Sequence, residues 1–224
     1  MSLDGTIREN LDGKYLTIYA DHFKKGIDYA AQVKINQIQI IGISEIENIV
    51  DFKELEKMSE YLQVISFAGD GIENVVNLES IYSLENIHKI YFQQKQKFAI
   101  NISRFPKLQH LGGTYWKGLQ NIDKAFSLTS TVLLKLTDIN LKRLSALTKL
   151  RILHIYSSKI QTLDGIETLQ IEELSLARNN FLEDVHTIKD LTALKRLEIE
   201  KCKKITDYDL IESLKNRVKV NIIK

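Results

Sequence analysis

The sequence predicts an α/β solenoid: a chain wound into stacked coils, with about eight parallel strands on its concave face and 3₁₀ turns and short helices on its convex side. Three observations lead there. First, the pattern apolar-x-x-apolar-x-apolar recurs with first positions at residues 35, 62, 87, 108, 131, 150, 171 and 194, separated by 19 to 27 residues. Second, apolar residues between these copies fall at every third position, which fits neither the 3.6 period of an amphipathic α-helix nor the 2.0 period of a strand. Third, composition removes the rivals: of 224 residues, 44% are apolar and 27% charged, with ten glycines, one proline and one cysteine. These values exclude disordered and collagen-like chains, an internal disulfide framework and a multi-cysteine zinc site.

Taken in order, residues 1–34 read as an N-terminal cap. Residues 1–13 are expected to be loosely held. Tyr15, Leu16, Thr17, Ile18 and Tyr19 alternate as a strand does. Residues 21–33 place Phe23, Ile27, Ala30 and Ala31 at helical spacing, with Asp21 as a suitable N-cap. Repeats follow over 35–207. Their clearest strand triplets are Ile35-Ile38-Ile40, Leu62-Ile65-Phe67, Ile87-Ile90-Phe92, Leu150-Leu153-Ile155, Ile171-Leu174-Leu176 and Leu194-Leu197-Ile199; Leu108-Leu111-Gly113 and Thr131-Leu134-Leu136 are weaker copies.

Between the triplets, rows such as Leu141, Leu144, Leu147, Leu150 and Val185, Ile188, Leu191, Leu194 suit 3₁₀ turns, where i and i+3 eclipse on one face. Over 44–60 and 77–86 the intervals are longer, and α-helical turns are at least as strong an expectation. Residues 208–224 read as a C-terminal cap, a helix over 208–216 and then a strand through Val218, Val220 and Ile222. One coil cannot bury its apolar face alone, so the repeats are expected to stack as one continuous domain.

Residues 150–169 (LRILHIYSSKIQTLDGIETL), 171–191 (IEELSLARNNFLEDVHTIKDL) and 194–214 (LKRLEIEKCKKITDYDLIESL) resemble the leucine-rich-repeat family. The likeness is to its short-repeat bacterial class of internalin-like proteins, with the last segment similar to the cysteine-containing repeat variant. It is specific over 141–214, fair over 35–111 and absent before residue 21; residues 112–130 depart from the pattern. The resemblance implies a right-handed coil and a structural ladder of inward side chains, here Ser158, Asn179 and Cys202. In the N-terminal half the same slot holds Ile43, Asp70, Lys95, Trp116 and Ile139, so that half must satisfy its turns differently. Gly113 leaves room at an inward position, which Trp116 is expected to fill.

Candidate chemistry is sparse. Cys202 sits at a ladder position, which makes it a packing residue rather than a nucleophile. His88, His110 and His154 fall on outward strand positions without a foreseeable carboxylate partner, and His22 and His186 read as cap and convex-side residues. No phosphate loop, nucleophile elbow or paired-histidine helix motif occurs. The chain is therefore expected to be non-enzymatic, with no metal and no cofactor.

The resemblance implies protein binding through outward strand side chains. Projected on this sequence, the candidates are Tyr91, Gln93, His110, Tyr115, Lys135, His154, Tyr156 and Arg178, types that supply contact area and directional bonds at interfaces. The expected function is a protein-interaction scaffold; the alternative is a regulator or inhibitor of an enzyme, of toxin-neutralising or phosphatase-regulating type, on the same fold. A net charge of +2 gives no case for nucleic acid. It hides seven basic against eleven acidic groups over 1–60 and ten against six over 189–224, −4 and +4. A monomer is expected, with end-to-end association the route this polarity opens. No apolar run is long enough for a membrane span. No signal peptide is visible, so the expected location is cytoplasmic, or secreted or surface-attached if a signal was removed.

Overall fold

The computed structural model describes residues 7–10, 13–43 and 49–223. The chain forms two compact units, one of residues 1–108 with 117–120 and the other of 109–116 with 121–224.

In the first unit, strands β1 (Ile7–Asn10), β2 (Gly13–Tyr19), β3 (Gln37–Gly42), β4 (Val64–Gly69) and β5 (Lys89–Phe92) lie side by side. All neighbours are parallel except β1, which runs antiparallel along β2. Residues 7–10 are thus paired, where the sequence suggested a loosely held end. Register stacks Leu16, Ile38, Ile65 and Ile90 in one column, and Ile18, Ile40, Phe67 and Phe92 in the next. All eight are buried, each apolar side chain contributing about 1.5–3 kcal/mol by leaving water.

Helix α1 (Phe23–Val33) packs on β2 through Phe23, Gly26, Ile27 and Ala30. Its N-cap is His22 with no side-chain bond, because residues 20–22 already form a 3₁₀ turn; Asp21 is not the cap the sequence suggested. Gly26 is required by proximity: a Cβ there would lie 2.5 Å from Ile18 Cγ2.

On the return side the period of three becomes 3₁₀ turns, including Phe52–Met58 and Leu78–Ser83. Of the regions 44–60 and 77–86, where α-helical turns were expected at least as strongly, the helical parts among the described residues are these 3₁₀ turns, and residues 44–48 lie outside the described residues. Phe52, Leu55 and Met58 are buried, but Ile49 is 70% exposed on a short strand paired with Asn74–Val76, and Ile46 lies outside the described residues. An aromatic spine fills this core. Phe67 stacks on Phe92 at 5.1 Å between ring centres, and Phe98 meets Phe52 and Phe67 edge-on at 5.6 and 5.7 Å, near the favoured separations for ring pairs.

The second unit holds β6 (His110–Thr114), β7 (Ser130–Leu134), β8 (Ile152–Tyr156), β9 (Glu173–Ala177), β10 (Arg196–Glu200) and β11 (Lys219–Ile223), all parallel. Helix α2 (Tyr208–Ser213) continues into a 3₁₀ turn, Leu214–Asn216, before β11. Register corrects one expectation here. Thr131 pairs with Leu153 and Leu133 with Ile155, so this copy begins at Leu128 rather than Thr131. Leu134 faces outward, Leu133 and Leu136 face the core, and Ile139 is 60% exposed instead of occupying the ladder slot. Thr131 is tolerated inside because its hydroxyl donates to the Leu111 carbonyl at 3.0 Å.

Candidate functional site

The coils of β7 to β10 leave their strands through one residue in left-handed backbone: Lys135 (φ 59°), Ser157 (φ 50°), Arg178 (φ 56°) and Lys201 (φ 50°). That reversal turns the following side chain inward, so Leu136, Ser158, Asn179 and Cys202 form a buried column. Lys135 and Arg178 therefore stand on exit turns beside the strand face.

Within the column, the Leu136 N–H donates to Ser158 Oγ at 2.9 Å and the Ser158 N–H to Asn179 Oδ1 at 2.9 Å. The Asn179 amide donates to the Ile155 carbonyl at 2.8 Å, and Cys202 Sγ approaches the Leu176 carbonyl at 3.5 Å. Burial pushes the Cys202 thiol up from its ordinary value of 9.0, which holds it as a neutral thiol.

Among the described residues of the first unit, backbone and a buried amide serve the turns. The Asp70 N–H donates to the Gly42 carbonyl at 3.1 Å. Gln96, not Lys95, is the buried residue after β5, and its Oε1 accepts the Ile72 N–H at 3.2 Å. A slot count from the strand triplet misses it by one position; an amide beside the expected slot was the available signal.

On the strand face of the first unit, Tyr91 is half-buried opposite Ser66, and Gln93 follows β5 with its N–H on the Phe67 carbonyl at 2.9 Å. Both line a 320 Å³ recess with Tyr15, Gln37 and Gln39, and among the described residues no charged side chain lines it. His88 precedes β5 instead of standing on it.

The second unit's face is charged. His110 Nδ1 lies 3.0 Å from Ser130 Oγ. The Tyr115 ring lies 5.7 Å from the Arg143 guanidinium, which grips Asp138 with two bonds of 2.7 and 2.9 Å; that carboxylate raises the Arg143 pKa. Trp116, beside Tyr115, is half-buried.

His154 was expected to lack a carboxylate partner, but its Nε2 sits 2.8 Å from Glu173 Oε1. Glu173 also faces Arg196 at 3.6 Å. The missed partner had a signal: Glu173 stands two residues after Ile171, as Arg196 does after Leu194, which puts both at the first position of neighbouring strands. Beside this pair, the Tyr156 hydroxyl donates to Ser175 Oγ at 3.2 Å, Ser175 donates to Glu198 Oε2 at 3.4 Å, and Arg178 donates to Glu200 at 2.9 Å. Tyr156, Ser175, Arg178, Glu198 and Glu200 border a second recess of 260 Å³. No hydroxyl or thiol among the described residues bonds His154, so the His154–Glu173 pair has no nucleophile on it. The described residues include no group of three metal-binding side chains and no helix long and apolar enough to cross a membrane.

No protein-family model matches the sequence, and a search of curated proteins gives no significant match. Solved structures do match. An internalin, InlF, from Listeria monocytogenes superposes with TM-score 0.56 at 19% identity, over 85% of this chain and 55% of that one, so the chain spans about half of that internalin's length. Internalin C2 of the same organism gives 0.57 at 15%, over 89% and 83%. The leucine-rich-repeat domain of the type III effector XopL gives 0.52 at 13%, over 88% and 78%. A TLR13 structure, solved as a complex with a single-stranded RNA, gives 0.56 at 14%, over 86% and 34%. What the chain shares with these proteins, and what its register and stacked coils independently display, is the leucine-rich-repeat fold.

Proposed function

We propose that the chain is a non-enzymatic scaffold that holds a protein partner on outward strand side chains. The observation that carries this reading is the network on the second unit: His154, Tyr156, Ser175, Glu173, Glu198 and Arg196 lie on three adjacent strands, joined by direct bonds. An ordered aromatic and charged surface with shallow recesses suits a broad macromolecular contact, whereas a metabolite is enclosed in a deeper apolar pocket. Protein is favoured over nucleic acid because Glu198 has no cation against it among the described residues and would repel phosphates, while Glu173 and Glu200 already hold Arg196 and Arg178 in ion pairs. Tyr91 and Gln93 extend the reading to the first unit's recess.

The test is recovery of partners from the source organism by wild type and by a Tyr91→Ala/Tyr156→Ala variant. The variant is expected to lose the specific partner. Equal recovery by both proteins would remove the strand face from consideration.

A further inference from the structure

We infer that the second unit's recess receives a cationic side chain, arginine or lysine, presented by the protein partner. This rests on the strand-face reading and adds the chemistry of what is bound. Charges on this face pair off in a telling way. Glu173 is matched by Arg196 and also contacts His154, and Glu200 is matched by Arg178. Glu198 is matched by no cation: its Oε2 accepts from the Ser175 hydroxyl and its Oε1 from the Asn221 amide, both at 3.4 Å. Lys219, on the neighbouring strand β11, forms no ion pair with it, and neither does any other described lysine, arginine or histidine.

Glu198 is half-buried at the rim of the recess. Its two neutral donors, both long, orient the carboxylate without neutralising it, and each oxygen keeps a lone pair for a further donor. Tyr156 supplies an aromatic wall to the same recess, with its hydroxyl tied to Ser175. An uncompensated carboxylate beside an aromatic ring is the arrangement that holds a guanidinium or ammonium group. Arg178 also borders the recess, but its guanidinium is bonded to Glu200 and adds little net charge of its own. At 260 Å³ the recess has the volume for a side-chain head and not for a folded element.

The test titrates the ¹⁵N-labelled full chain with N-acetyl-arginine methylamide and N-acetyl-lysine methylamide, using N-acetyl-glutamine methylamide as the neutral control. Saturable amide shifts confined to Tyr156–Ser157, Ser175–Arg178 and Glu198–Glu200 are expected for the cations only. Glu198→Gln should weaken binding about fivefold with the remaining spectrum unchanged. Unsaturable or scattered shifts, or equal binding by Glu198→Gln, would overturn the inference. Selection of random displayed peptides on the same protein separates it from the reading beneath it. Peptides lost on Tyr156→Ala and rich in arginine or lysine support both. Peptides lost on Tyr156→Ala but free of basic residues overturn the cationic recess and leave strand-face binding standing. Peptides indifferent to Tyr91→Ala, His154→Ala and Tyr156→Ala overturn strand-face binding, and the arginine titration then decides the recess alone.

Discussion

Replacing Asn179 with alanine is the most direct probe of what binds one coil to the next. Asn179 is 0% exposed, and it serves two backbone groups of the preceding coil: it accepts from the Ser158 N–H at 2.9 Å and donates to the Ile155 carbonyl at 2.8 Å. Alanine leaves both unmatched. At about 1–3 kcal/mol for each orphaned buried group, the loss is about 2–6 kcal/mol. Ser158→Ala removes one acceptor, that of the Leu136 N–H, and should cost about 1–3 kcal/mol. The ratio between the two variants is therefore as informative as either value. Urea unfolding gives the free energies, and amide hydrogen exchange gives the location: in Asn179→Ala the Ser158 amide should lose protection before amides of β10 do. If Asn179→Ala stays within about 1 kcal/mol of wild type, or the Ser158 amide stays protected, the side-chain column does not hold the coils together and the reasoning fails.

Three further outcomes are expected. Gly42→Ala places a Cβ onto the Asp70 carbonyl oxygen, a backbone atom, and should cost about 3 kcal/mol in thermal unfolding; a wild-type melting temperature would refute the close approach of these turns. Gly26→Ala gains about 1 kcal/mol of helix propensity but drives Cβ into Ile18, so a net loss is expected, and Ile18→Ala in the same protein should turn it into a gain. The Cys202 thiol, held neutral by burial, should resist alkylation in the native chain and react once urea unfolds it. Because its folded pKa is raised, the unfolded thiol ionises first as pH rises. The stability it contributes is full below about pH 9 and lost as pH climbs through the folded value. Cys202→Ala should therefore show a flatter decline in stability than wild type across that alkaline range, and parallel declines would refute the assignment.

Spacing made the stack legible because each inward leucine or isoleucine is forced by the same geometry in every coil. The reading slipped where an inward slot holds a polar residue. Thr131 conceals its place by donating to Leu111, and the adjacent Leu134 and Leu136 then offer a false strand pair, although Ile122, Ala125 and Leu128 run at intervals of three directly into the true register. At the candidate site, individual outward residues could be projected, but not their partners. The His154–Glu173 bond joins residues 19 apart on different strands, so seeing it requires knowing which coil position faces which. Gln96 was hidden for a related reason: a turn of different length moved the inward slot by one residue.

The rungs of the second unit and Gln96 of the first have a shared direction. Gln96 serves Ile72, Thr131 serves Leu111, Ser158 serves Leu136, Asn179 serves Ser158 and Ile155, and Cys202 serves Leu176. In every case the later side chain completes the backbone of the earlier coil. During synthesis a coil that has left the ribosome stays unfinished until its successor arrives, so folding must trail translation by one repeat. Shortening the chain is likewise unsymmetrical. A cut from the C-terminal side strips the new last coil of the side chain that closed its turn, whereas a cut from the N-terminal side takes from the surviving turns only backbone acceptors, such as the Leu136 carbonyl that receives the Lys159 N–H, and none of these side chains.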